Sequence, residues 1–152
     1  MREETRPIVG PLLGIVGGAL PAYWAAVEVW VLWRTTPKSK LVHLLVGSQT
    51  KVTGALISEL RTWFAAVMVV EALVALSAFL LLLYPRRHFL LGVGLLSLSA
   101  LGLALMGYFP LGLGRTELVA GMVLCPILGL VAGISALLFR SDLEFARAYG
   151  FD

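Results

Sequence analysis

Four apolar runs organise this chain, roughly Ile8 to Trp33, Leu60 to Tyr84, Phe89 to Phe109 and Leu118 to Phe139, each bounded by charge, proline or glycine. Each is long enough to cross a hydrocarbon layer about 30 Å thick at about 1.5 Å of rise per residue. The runs are apolar on every face and do not alternate, which argues against a membrane β-barrel. Backbone groups in hydrocarbon must be satisfied within their own segment, so the spans are helices. The pattern predicts an all-α fold: an integral membrane four-helix bundle, one transmembrane domain over residues 1–152, with short links and one longer interfacial link.

The polar positions place those links. Pro85, Arg86, Arg87 and His88 make a tight turn that forces the second and third spans to be antiparallel neighbours. Pro110 to Arg115 makes a second short turn, with Thr116 as candidate N-cap of the fourth span. The long link, 34–59, opens with the polar TTPKSK. Leu41, Leu44, Leu45 and Ser48 then share one helical face, which suits a short interfacial helix; a hairpin around Gly47 to Thr50 is the alternative. The tail, 140–152, sets Leu143, Phe145, Ala146 and Tyr149 among charges and continues the fourth span into the interface. Trp24, Trp30, Trp33, Trp63, Tyr84, Tyr108 and Phe109 stand near span ends, where amphipathic rings anchor at headgroup depth. The first run is too long for a signal-peptide core and ends at Trp33-Arg34, with no small-residue cleavage site, so it is expected to be retained.

Composition agrees with lipid as the solvent. The 152 residues are 59% hydrophobic and 14% charged, against roughly a quarter charged in soluble domains. The net charge of +3 resides at the ends of the apolar runs, so it reads as membrane flanking and not as a nucleic-acid surface. Arg2, Arg6, Arg86, Arg87, Arg140 and Arg147 on one side balance Arg34, Lys38, Lys40, Lys51, Arg61 and Arg115 on the other. Arg86 and Arg87 abut two span ends, which favours both termini inside. Cys125 is the single cysteine and reads as a small buried hydrophobe.

Small residues recur every four positions: Gly10, Gly14 and Gly18 in the first span, and Gly121, Cys125, Gly129 and Gly133 in the fourth. In lipid, helices associate through such close-approach faces. Antiparallel pairing of these spans would bring Gly14 to the depth of Gly133 and Gly18 to that of Gly129; contact between subunits is the rival use. Pro21 and Pro126 fall inside the same two spans and should bend them, as packing features or as a hinge.

Two acids lie within apolar runs, Glu28 near the end of the first span and Glu71 near the middle of the second. An ionised acid at bilayer centre costs about 2.5–3.5 kcal/mol. A neutral Glu71 hydrogen-bonded to Ser97 or Ser99 of the third span would offset that cost. The functional alternative is a proton or cation site. Glu28 is shallow enough to reach the interface or to meet Arg34 or Arg61. The two histidines, His43 and His88, fall on opposite membrane faces and do not fit one haem or metal, so no cofactor is expected. No nucleophile, base and orienting group share one depth, which argues against an enzyme. Gly112 and Gly114 read as turn glycines, not a phosphate loop.

The stretches YPRRHFLLGVGLLSLSALGL, GLVAGISALLF and RPIVGPLLGIVGGAL resemble small four-span membrane proteins of actinobacteria and archaea classed as domains of unknown function. In those, a Pro/Arg link leads into a Gly/Leu/Ser-rich span and the last helix carries glycine repeats; the long first link departs from the shortest members. The resemblance implies the four-span fold and carries no activity to any residue. The functional expectation is a non-enzymatic, multi-pass protein of the cell membrane acting by association, as an accessory or structural subunit or a homo-oligomer. Its partners would be lipids and other membrane subunits or copies of itself, with no nucleic acid. The alternative is a small oligomeric transporter or channel subunit using Glu71 as its ion- or proton-coupled group.

Overall fold

The computed structural model describes residues 8–34, 53–84, 87–112 and 123–138, with 109–112 described by backbone alone. Those residues form four helices: α1, Val9–Arg34; α2, Gly54–Leu83; α3, His88–Gly112; and α4, Val123–Leu138. By length and composition α1, α2 and the His88–Tyr108 part of α3 are each able to cross a membrane, and α4 is a shorter apolar helix. The expected interfacial helix or hairpin, His43, Thr116, Gly121 and the tail all lie outside the described residues, as do Pro85 and Arg86 of the tight turn.

Helix α2 starts inside the expected link. Thr53 is extended (φ −107°, ψ 161°) and its hydroxyl accepts from the Leu56 N–H at 3.3 Å, satisfying one of the free donors of a helix start. The polar Ser58, Glu59 and Thr62 lie on the exposed side while Ile57 and Leu60 are buried. The last residues of what reads as a polar link, 54–59, are the first turns of this helix. At its other end the Tyr84 N–H donates to the Leu80 carbonyl at 2.8 Å, and the Arg87 N–H donates to the Tyr84 carbonyl at 3.0 Å. The chain therefore reverses directly into α3. Helix α3 in turn runs through Pro110, where a turn was expected; proline forfeits one backbone bond there and the helix ends at Gly112.

Every neighbouring pair is antiparallel. The end of α1 meets the start of α2, where Arg61 donates through Nε and Nη2 to the Leu32 carbonyl at 3.0 and 2.6 Å. The start of α2 meets the end of α3, where the Trp63 indole N–H donates to the Leu105 carbonyl at 2.6 Å. Gly10 of α1 faces Ser135 of α4, and Gly92 of α3 faces Ala136 and Leu137 of α4. The bundle thus closes on itself, α1 touching both α2 and α4.

Two apolar clusters fill it. Ala25, Leu32, Ile57, Leu60, Trp63, Phe64, Val67 and Met106 form one, built around edge-to-face contacts of Phe64 with Trp63 (4.7 Å) and Trp24 (5.2 Å). Val74, Ala78, Leu81, Leu95, Ala132 and Ala136 form the other, of smaller side chains. Trp63, expected as a headgroup anchor, is only 9% exposed. Its N–H finds a partner on α3, so the ring serves the core instead of the boundary.

Candidate functional site

Between the two apolar clusters, one α2 turn beyond Val67 and one before Val74, sits Glu71. It and Ser99 of α3 are the buried polar side chains of the described bundle, each 0% exposed. Helical spacing explains why Glu71 faces inward: Val67, Val70, Glu71, Val74 and Ala78 form one continuous buried stripe. The acid takes a core position in that stripe and has no route to the surface along its own helix.

Glycines make the space around it. The Glu71 carboxylate lies against the bare backbone of Gly102, where an added Cβ would come 3.2 Å from the Glu71 Cδ. Ser99, one turn before Gly102 on the same face of α3, lies against Gly129 of α4 in the same way, its Cβ 3.2 Å from where a Gly129 side chain would begin. Gly18 of α1 seats on the α2 backbone at this level, so close that a Cβ would stand 2.6 Å from the Glu71 carbonyl oxygen and from the Ala75 nitrogen. All four helices therefore converge on one polar layer.

Among the described residues neither carboxylate oxygen of Glu71 nor the Ser99 hydroxyl has a hydrogen-bond partner. The bond expected from Ser97 or Ser99 is not formed: Ser97 points outward and is exposed, and Ser99 spends its position filling the gap at Gly129. Glu28 likewise meets neither arginine. Arg61 is engaged with Leu32, Arg34 lies over Trp30, and Oε2 of Glu28 is buried without a partner. Among the described residues no three of His, Cys, Asp and Glu gather as a metal site.

The small-residue pattern is redistributed. Gly10 and Gly14 face α4 as expected, Gly14 also meeting Ala78 of α2. Gly17, outside the four-residue repeat, makes the closest approach to the α4 backbone, 2.7 Å from its would-be Cβ to the Cys125 carbonyl. Gly18 turns to α2 instead of Gly129, and Gly129 and Gly133 turn to α3. A helix presents neighbours at three as well as four residues, and a search at both spacings finds Gly17 and the Ser99–Gly102 pair. Comparison with family models, curated proteins and solved structures finds no match to this chain.

Proposed function

We propose that the chain is a non-enzymatic, multi-pass protein of the cell membrane that acts by association, as an accessory or structural subunit of a membrane complex or as a homo-oligomer. One observation carries this reading: only 28% of the most apolar stretch of each long helix is buried inside the bundle. The remainder presents large apolar side chains, among them Leu20, Leu73, Phe79, Leu90 and Leu101, to which lipid tails and partner helices are the favourable surroundings. Because Gly10, Gly14, Gly17, Gly18, Gly129 and Gly133 are occupied within the chain, the contact surface for a partner is this large-side-chain exterior. In-cell cross-linking followed by extraction in mild detergent tests it. A discrete assembly, with itself or with a stoichiometric partner, is expected; a monodisperse monomer with nothing cross-linked to it overturns the reading.

The second reading makes the protein a small oligomeric transporter or channel subunit with Glu71 as the coupled group. It is favoured by the enclosed carboxylate and hydroxyl without partners, since such groups inside membrane proteins commonly mark proton or ion paths. Proton and monovalent-cation flux into liposomes holding the wild type or Glu71→Gln distinguishes the two. Flux unchanged by the substitution, or absent from both, removes the transport reading.

A further inference from the structure

We propose that the end of the bundle where α1 finishes and α2 begins binds the headgroup phosphate of an anionic phospholipid, with Arg34 and Arg61 as its donors. The proposal rests on the helices being membrane spans. Both guanidinium groups are tied to the last turns of α1: Arg34 lies 4.2 Å over the Trp30 ring, and Arg61 of α2 lies 5.3 Å over the Trp33 ring. Arg61 also caps α1, donating to the carbonyl of Leu32, one of the last carbonyls that the helix leaves unbonded.

These contacts position the two charges and consume only the Arg61 Nε–H and the one Nη2–H that face the Leu32 carbonyl. A guanidinium carries five N–H groups in a planar fork. Stacking on an indole uses its face, so among the described residues the edges of Arg34 and the Nη1 side of Arg61 stay available to phosphate oxygens. Among the described residues no acid engages either arginine, although Glu28 of α1 and Glu59 of α2 lie within two turns of them in sequence. Trp30 and Trp33 are exposed, and such rings favour the depth at which phosphates lie.

The surface below the arginines selects a lipid over a soluble anion. Leu20, Tyr23, Val27 and Trp30 are exposed on α1, at the three- and four-residue spacing that makes one face, and Arg34 continues that face. A phospholipid whose phosphate meets the arginines would lay an acyl chain along this stripe. Inorganic phosphate or an acidic peptide would leave it unused.

Native mass spectrometry of the full chain, titrated with phosphatidylglycerol or phosphatidylcholine of identical acyl chains, tests the proposal. Wild type is expected to retain the anionic lipid preferentially. Arg34→Gln, which leaves the Leu32 cap intact, should reduce that preference roughly fivefold, the worth of one basic residue at an anionic surface, and Arg61→Gln should do the same or more. Equal retention of both headgroups by wild type, or a preference that Arg34→Gln leaves unchanged, overturns the proposal. Competition by inorganic phosphate at concentrations matching the lipid would overturn the lipid as occupant. A chain that stays dissolved without detergent would overturn the membrane reading and this site together, whereas a detergent-requiring chain with no headgroup preference would overturn the site alone.

Discussion

At Gly18 an added Cβ would stand 2.6 Å from two backbone atoms of α2, and a backbone, unlike the tip of a long side chain, has nowhere to move. Gly94 has nothing within 4 Å. The same substitution should therefore act oppositely at the two positions. Gly18→Ala is expected to destabilise the bundle by about 1–3 kcal/mol, the cost of overpacking. Gly94→Ala should be neutral or stabilising by up to ~1 kcal/mol, because alanine is the better helix former. Reversible unfolding in mixed micelles measures both, and equal effects would contradict the close α1–α2 crossing. Glu71 yields a second prediction. Its carboxylate is enclosed without a partner among the described residues, so Glu71→Leu, apolar and of similar volume, should raise stability by about 1–3 kcal/mol, the cost of an unsatisfied buried polar group. A loss of stability would mean that the carboxylate has a partner in the folded protein. That Glu71 is an interior acid was legible from its place in an apolar run. Which serine would accompany it was not: Ser97 and Ser99 are equally deep in the pattern, and only the rotation of α3 turns one in and the other out.

At the level of elements, two side chains carry the polar ties between helices. Arg61 joins α2 to α1 through the Leu32 carbonyl, and Trp63 joins α2 to α3 through the Leu105 carbonyl. Arg61→Ala should cost about 1.5–3 kcal/mol, as expected for a hydrogen bond from a charged donor, and Trp63→Phe about 0.5–1.5 kcal/mol. Hydrogen exchange checks the locality of these effects. Arg61→Ala should speed exchange at the end of α1 and the start of α2 while leaving the α3–α4 contact around Gly92 and Ala136 protected; uniform acceleration would deny that the tie is local. Neither role was visible in the chain, because both acceptors are backbone carbonyls, which every residue has. Arg61 read as a flanking charge or a partner for Glu28, and Trp63 only as a boundary ring.

For the molecule as a whole, the closed antiparallel order is the claim most open to direct test. A side chain at position 10 would begin 3.2 Å from the Ser135 Cβ, close to the separation that a disulfide spans. In a Cys125→Ser background, Gly10→Cys with Ser135→Cys should cross-link within one chain on mild oxidation, seen as a shift of the monomer band. Cross-linked dimers in its place would show that the glycine faces join separate copies and that the bundle is not closed within one.

The sequence by itself determined that the described part of this chain is built of helical apolar rods, where most of their ends lie, and that an acid is enclosed in one of them. Hydropathy along the chain suffices for that, because a run that is apolar, long and free of alternation has few other stable forms. It did not determine how the rods are rotated against one another. Each is apolar on every side, so its pattern names no inner face. Only the packed structure decided that Gly17 and not Gly18 meets α4, that Gly102 and Gly129 make room for Glu71 and Ser99, and that Arg61 caps α1. Those choices follow from which surfaces approach most closely, a property of pairs of helices that neither helix carries alone.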